Sequence, residues 1–108
     1  MNRYLLIESR DPFESNDVGR LCELAAGLKH AGHEVAVMLV QNGVLPARRD
    51  ARRDGLQSVL DAGIDVHADE FSLRERGIAR SELAERVQPA PIDLVIERME
   101  AGWSAIWH

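Results

Sequence analysis

The chain has 108 residues, 45% of them apolar, and 18 acidic against 13 basic side chains give it a net charge of −5. This length suits one compact domain over residues 1–108 with a modest core. The negative balance argues against a general nucleic-acid binder, because phosphate contacts need a positive field. A single cysteine, Cys22, excludes an intramolecular disulfide and favours the cytoplasm, and no window is long and apolar enough to span a membrane.

Two apolar runs in the first half predict buried strands, at Arg3–Ser9 and Val35–Val40, and the second is ended by an Asn-Gly turn. Between them a helix is expected over roughly Val18 to Ala31, with a side-chain cap from Ser15, Asn16 or Asp17 and a stop at Gly32. Its apolar residues recur at helical spacing: Val18, Leu21, Cys22, Ala25 and Leu28.

The second half predicts shorter elements. Arg48–Ala62 is expected to be a helix whose polar first half is alternatively a loop, and a short strand follows at Ile64–Val66. A helical turn around Leu73 and Ile78 precedes a short helix from Ser81 through Val87. Pro89 and Pro91 break the chain, and Pro91 suits the first turn of the next helix. That helix has a stripe of Ile92, Val95, Ile96 and Met99 and ends at Gly102, before a terminal strand at Ser104–Trp107.

Strands that alternate with helices imply right-handed crossovers and a mostly parallel sheet covered by helices on both faces. Four strands are predicted from these patterns. In such folds ligands bind outside the carboxyl ends of the strands. Polar residues near these ends are therefore candidate crevice and ligand-binding residues: Asp11, Ser15, Asn42, Asp69 and Ser72.

The order of short motifs along the chain is distinctive. A first strand is followed by DPFES, an Ala-rich helix, AGHEVAV and QNGV, and later by AGIDV and SLRERGI, with IWH near the end. In this order and spacing the chain resembles the DsrE/DsrF/TusD-like family of small sulfur-relay proteins. The resemblance covers essentially the whole chain. It implies a flavodoxin-like three-layer α/β/α domain with a mostly parallel sheet of four to five strands.

The resemblance also implies assembly and a chemistry. Such proteins form homo-trimers, homo-hexamers or hetero-oligomers of related chains, and active members hand sulfur to a sulfur-carrier partner. Their reactive cysteine lies just after the third strand, about seven positions before an Arg-Gly pair, which here is Arg76-Gly77. Asp69 stands at that position, and Ser72 stands where some relatives have a second cysteine. A carboxylate cannot form a persulfide.

The departure at Asp69 favours a non-catalytic structural, regulatory or ligand-binding member of a sulfur-relay type system, since the family includes such subunits. No cofactor is expected. The alternative is an active sulfurtransferase that uses Cys22 as its persulfide site. Cys22 lies on the apolar stripe of the first helix, where burial lowers thiol reactivity, but a place near the helix start that faces the crevice would favour the thiolate.

Two further patterns have both a functional and a structural interpretation. Asp69, Glu70 and His67 are either an acid/base or metal cluster at a strand end, or a solvated end whose carboxylate caps the next helix. The spacing of His30 and His33 suits a metal but also fits helix-end chemistry. No metal site is predicted from them.

The run ARRDARRD is the strongest charge feature, and its partner-docking candidates are Arg48, Arg49, Arg52 and Arg53. On a helix they form one basic face that either docks an acidic partner or a tRNA backbone, or is a solvated face with Arg-Asp pairs. Near the carboxyl end, Trp103, Ile106 and Trp107 either pack inside the subunit or belong to an oligomer interface.

Overall fold

The architecture, seen in a computed structural model that describes residues 1–52 and 54–108, is a sheet of five strands with four α-helices. The strands are β1 (Arg3–Glu8), β2 (Glu34–Leu39), β3 (Asp65–Asp69), β4 (Val87–Ala90) and β5 (Ser104–Trp107). The helices are α1 (Asp17–His30), α2 (Asp54–Asp61), α3 (Glu70–Glu75) and α4 (Asp93–Glu100), and 3-10 segments occupy Gln41–Ala47 and Arg80–Glu82. Among the described residues no helix is long and apolar enough to cross a membrane.

The sheet has the order β4-β3-β2-β1-β5, and every neighbouring pair is parallel. Its register aligns Leu6 of β1 with Val37 of β2, which in turn faces Val66 of β3. The central strands are buried on both faces, which explains why β1 and β2 are nearly continuous apolar runs. The expected flavodoxin-like α/β/α fold is confirmed, with five strands.

The two faces of the sheet are covered unequally. Alternate strand residues pack with α1, α2 and α3 in the larger core, which includes Leu6, Val37, Leu56 and Leu73, and we call this side the α1 face. The opposite side, the α4 face, has a smaller core around Leu5, Ile7, Met38 and Val95. Right-handed crossovers explain this division, because β1 to β4 proceed across the sheet in one direction and the β4-α4-β5 connection returns in the other.

The reversal of direction creates a topological switch point between β3 and β4. The chain leaves β3 toward α3 on the α1 face, whereas it leaves β4 toward α4 on the opposite face. A crevice outside the carboxyl ends of these two strands is the usual ligand-binding position in open α/β sheets. Asp69 is the last residue of β3 and therefore lies at this point.

The helix predicted over Arg48–Ala62 is shorter than expected. Residues before 53 are not helical, because Arg48 has an extended backbone and forms an antiparallel bridge with Leu83, and Arg49 N–H bonds the Glu82 carbonyl at 2.8 Å. Tertiary pairing thus replaces helical hydrogen bonds over the first half of this segment. The loop interpretation of the polar half is correct for residues 48–52.

The short helix predicted from Ser81 through Val87 is wrong. Only Arg80–Glu82 is helical, as one 3-10 segment, a turn follows at Glu85 and Arg86, and Val87 begins β4. Pro89 does not break the chain but lies inside β4, which is tolerated because β4 is an edge strand. The residue pattern VQPA gave too weak an alternation to reveal this strand.

Side chains on α4 also differ from expectation. Of the predicted apolar stripe only Val95 is buried, and Ile92, Ile96 and Met99 are exposed. The helix begins at Asp93, so Pro91 precedes it, and the Pro91 carbonyl accepts the Leu94 N–H at 3.0 Å. The stripe on α1 is closer to expectation, because Val18 and Ala25 are buried and Leu21, Cys22 and Leu28 pack partly against the core.

Candidate functional site

The turn from β3 into α3 is built around a buried carboxylate. Asp69 is 6% exposed, and its Oδ2 accepts hydrogen bonds from the Ser72 N–H at 3.0 Å and the Ser72 hydroxyl at 2.7 Å. This is the geometry of a helix N-cap, which satisfies a backbone donor that the six-residue helix α3 would otherwise leave unpaired. The cap predicted for Asp69 is therefore present, but the prediction of a solvated strand end is wrong, because the carboxylate is buried.

Further hydrogen bonds join this turn to the segment after β2. The Ser72 hydroxyl accepts the Gln41 N–H at 2.8 Å, and Gln41 has a positive φ of 50°. The Arg76 guanidinium donates to Asn42 Oδ1 at 2.9 and 3.1 Å and to the Ser72 carbonyl at 3.2 Å. Three of the predicted crevice residues, Asn42, Asp69 and Ser72, thus meet in one network at the switch point. Arg76 belongs to it as well, although it was not predicted as a site residue.

The other two predicted crevice residues lie elsewhere. Asp11 and Ser15 belong to the loop between β1 and α1, where Asp11 Oδ1 accepts the Phe13 N–H at 3.4 Å and Ser15 Oγ accepts the Asp17 N–H at 3.2 Å. Asn16, the residue before α1, makes no side-chain cap. These contacts are those of local turns. They hold the loop rather than the β3–α3 turn.

His67 does not join Asp69 in an acid/base pair. Both side chains project to the α4 face by strand alternation, but Asp69 Oδ2 is engaged by Ser72. The His67 Nε2 is buried and has no hydrogen-bond partner among the described residues. Burial lowers the pKa of His67, Arg98 lowers it further, and Asp65 opposes them, so the imidazole is neutral at neutral pH. Glu70, the first residue of α3, is half-buried.

The remaining histidine pair is also divided. His30 is exposed in the last turn of α1, whereas His33 Nδ1 accepts the Asn2 N–H at 3.1 Å and its ring meets Tyr4 edge-on at 5.4 Å. Within residues 1–52 and 54–108 no group of three His, Cys, Asp or Glu side chains is placed to hold a metal ion.

Cys22 is half-buried on α1 beside the core of the α1 face. Burial raises the pKa of its thiol to about 11, and the nearby carboxylates of Glu8 and Glu23 contribute to the same shift. The thiol is therefore protonated at neutral pH, and its thiolate, which is the nucleophile, is scarce. Cys22 is the sixth residue of α1, beyond the first turn, so the start of the helix does not activate its thiol.

Beside Cys22 lies a cavity of about 200 Å³ between α1, α2 and the sheet. Its wall is mostly aliphatic and includes Val18, Leu39 and Val59, and Glu8 also lines it. None of the residues of the Asp69 network lines this cavity. The sequence does not predict this cavity, because its volume depends on the distance between α1 and α2 in the folded chain.

Glu8 is the most buried polar residue in the part of the chain that the structure describes. Its contact with His108 was not predicted from the sequence. Glu8 is 2% exposed, and the imidazole Nδ1 of His108 lies 2.7 and 2.9 Å from its two carboxylate oxygens. The Arg10 N–H donates to the same carboxylate at 3.0 Å. A carboxylate that directly follows Leu5, Leu6 and Ile7 was the available signal, since a charge in a buried strand needs a partner.

The basic run does not form the predicted helical face. Arg48, Arg49 and Arg52 are exposed on non-helical backbone, and Arg52 lines the cavity at its rim. Arg53 lies outside the described residues. The tryptophans at the carboxyl end differ from each other: Trp103 is half-buried on the α4 face with the Arg98 guanidinium 4.7 Å from its ring, and Trp107 is 61% exposed.

Comparison with solved structures defines the class of fold. The chain is similar to the ychN protein from E. coli, with a TM-score of 0.89 and 14% identity over 100% of both chains. It is also similar to MTH1491, a protein of unknown function from Methanobacterium thermoautotrophicum, with a TM-score of 0.86 and 21% identity over 100% of both chains. A protein of unknown function from Bacteroides thetaiotaomicron, BT1422, matches with a TM-score of 0.76 and 16% identity over 97% of this chain and 94% of its own.

At these identities the similarity establishes a shared fold, that of small five-stranded parallel α/β proteins like ychN. The chain matches no protein-family model and no curated protein.

Proposed function

We propose that this chain is a DsrE-like subunit that does not carry sulfur and has a structural or regulatory role in a sulfur-relay type assembly in the cytoplasm. The observation that carries the proposal is Asp69. It occupies the end of β3 at the switch point, where the motif order of sulfur-relay proteins has the reactive cysteine, and its carboxylate is engaged as the cap of α3. A capped carboxylate at this position cannot accept sulfur.

The alternative carrier, Cys22, lacks the features that the chemistry needs. Persulfide formation requires a thiolate that attacks the outer sulfur of a donor persulfide, while the donor leaves as a thiolate. The Cys22 thiol is half-buried against aliphatic side chains, and its pKa is raised to about 11. Both conditions oppose the reaction.

Mass spectrometry of the intact protein after incubation with a low-molecular-weight persulfide tests this role. Wild type, Cys22→Ser, and Asp69→Cys in the Cys22→Ser background are compared. We expect no gain of sulfur on the first two and a gain of one sulfur atom on the third, because the Ser72 N–H and hydroxyl that now donate to Asp69 would stabilise a thiolate at this position, whereas Cys22 has carboxylates beside it.

Sulfur on wild type that disappears in Cys22→Ser would overturn the proposal in favour of an active carrier. A folded Asp69→Cys variant that stays unmodified would remove the link to sulfur relay, since the turn would then not admit a donor. Circular dichroism of each variant establishes that it is folded.

For the assembly we propose that the α4 face contacts a second copy or a related chain. Ile92, Ile96 and Met99 are 46%, 57% and 54% exposed on one side of α4, and by register Trp107 projects from the same face of the sheet. Several large exposed apolar side chains on the side of the sheet that only one helix covers are typical of an interface. The resemblance to sulfur-relay proteins implies a trimer, a hexamer or a hetero-oligomer.

Ile96→Glu is expected to lower the molar mass in solution, measured by light scattering after gel filtration, because the charge would be buried in the interface. Leu24→Glu is the matched control, since Leu24 is 43% exposed on α1, on the other side of the sheet. Equal molar masses for wild type and Ile96→Glu would contradict an interface on α4. A lower molar mass for Leu24→Glu alone would place the interface on α1.

A sulfur-carrier protein or another acidic partner is the proposed ligand of the basic segment. Arg48, Arg49 and Arg52 are exposed there, and Arg52 also lines the cavity. Such a contact would be sensitive to ionic strength.

A further inference from the structure

The cavity beside Cys22 has the size of a small aromatic ring with a substituent. Its volume is about 200 Å³, and an apolar cavity of about 150 Å³ is large enough to hold benzene. It lies between α1 and α2 over the α1 face of the sheet. Its wall is formed by buried aliphatic side chains, among them Val18, Ala25, Leu39, Leu56 and Val59.

One side of this cavity is open to solvent. Phe13, in the loop between β1 and α1, lines the cavity although it is 86% exposed, so its ring forms part of the rim. Gly55 lies on α2, where an added Cβ would be 3.3 Å from the Cys22 sulfur. The close approach of α1 and α2 beside the cavity therefore depends on small side chains at residues 22 and 55.

The aliphatic wall contains one buried charge. Glu8 pairs with Leu39 in the sheet register, and both side chains line the cavity on the α1 face. The Glu8 carboxylate accepts from the His108 imidazole and from the Arg10 N–H. A carboxylate offers about four lone-pair positions, so acceptor capacity remains for a ligand.

Charge selects the class of ligand. A buried carboxylate in low-dielectric surroundings attracts a cationic donor and repels an anion. The Glu8 carboxylate also lies near the Cys22 thiol of the same cavity and contributes, after burial, to its raised pKa. Arg52 has the opposite charge, but it is exposed at the rim, where water and salt screen it.

We propose that this cavity binds a small primary amine with an aromatic or branched aliphatic body, whose ammonium group donates to Glu8. The body fills the space between α1 and α2, and the amine replaces solvent at the carboxylate. This site is separate from the β3–α3 turn, and the inference does not rest on the proposed role in sulfur relay.

Benzylamine and benzoate provide a matched pair of probes, because they share a ring and differ in charge. Titration of the isotope-labelled protein by two-dimensional NMR gives the affinity of each and the amides that shift. We expect benzylamine to bind at millimolar concentration, at least about tenfold more tightly than benzoate, and to shift amides of α1 and α2.

Variants of Cys22 test the space in the cavity, and a variant of Glu8 tests its charge. Cys22→Leu fills the space and is expected to abolish binding, whereas Cys22→Ser, of nearly unchanged size, retains it. Glu8→Gln is expected to reduce the preference for benzylamine to within about twofold.

Several results would overturn the inference. They are benzoate binding as tightly as benzylamine to wild type, no binding of benzylamine at millimolar concentration, or binding that persists in Cys22→Leu. The comparison of the two probes on wild type decides the question even where Glu8→Gln fails to fold.

Discussion

His108 Nδ1 lies 2.7 Å from Oε1 of Glu8, and this contact joins two residues 100 positions apart. The backbone reinforces it, since the His108 carbonyl accepts both the Ser9 N–H at 3.0 Å and the Ser9 hydroxyl at 2.8 Å. The end of the last strand is thereby attached to the end of the first, beside a buried carboxylate that has few other partners.

The first prediction concerns this contact. His108→Ala is expected to lower the free energy of unfolding by about 2 kcal/mol, because it leaves the Glu8 carboxylate buried with fewer donors. Urea denaturation measures the change. His108→Asn, whose amide nitrogen lies near the position of Nδ1, should recover part of the loss. Equal destabilisation by both substitutions would show that the hydrogen bond contributes little.

The cap of α3 gives a second prediction. Asp69→Ala is expected to cost about 1–2 kcal/mol of stability, because the Ser72 N–H and hydroxyl both lose their acceptor. Asp69→Asn retains an acceptor oxygen and should cost less. Thermal and urea unfolding of the two variants provide the comparison. Unchanged stability of the alanine variant would argue that the carboxylate is kept for chemistry rather than for the fold.

Two glycines should respond in opposite directions to the same substitution. A Cβ at Gly27, on the exposed side of α1, meets nothing within 4 Å, so Gly27→Ala should stabilise the protein by about 0.5–1 kcal/mol. At Gly43 the Cβ would lie 2.2 Å from the Glu8 carbonyl oxygen, which cannot move freely. Gly43→Ala should therefore destabilise the protein. A stabilising effect at Gly43 would contradict the close approach of this segment to β1.

The half-buried imidazole of His67, whose Nε2 is buried, predicts a dependence of stability on pH. In the folded protein the pKa of His67 is lowered from its ordinary value of 6.5, mainly by burial. Below about pH 6.5 the unfolded chain therefore binds the proton more strongly than the folded protein does. The stability that the neutral ring permits is present above about pH 6.5 and is lost as the pH falls through the lowered pKa. Urea unfolding at several pH values should show a steeper acid loss for wild type than for His67→Gln. Identical slopes would contradict the lowered pKa.

Elements with a strong residue pattern were predictable from the sequence. The continuous apolar runs of β1 and β2 and the periodic face of α1 define a parallel α/β fold, and the motif order added the layer arrangement and a sheet of four to five strands. Asp69 was placed at the end of β3 because strand alternation and the Arg76-Gly77 pair mark the same position.

Features that depend on tertiary pairing were not predictable. β4 has four residues with a proline among them, so only its pairing with β3 defines it as a strand. Arg48 and Leu83 form a bridge that no local pattern encodes. The contact of Glu8 with His108 and the cavity between α1 and α2 likewise require the folded arrangement of distant segments, which periodicity does not report.

Pro89 has a consequence for the way copies of this protein can associate. It lies inside β4, one of the two edge strands of the sheet, and a proline has no N–H to offer a further strand. A four-residue edge strand that lacks this donor is a poor template for pairing with a strand of another subunit, which is the route to fibrils. A subunit that displays apolar side chains on α4 therefore still has a β4 edge that resists pairing with a further strand.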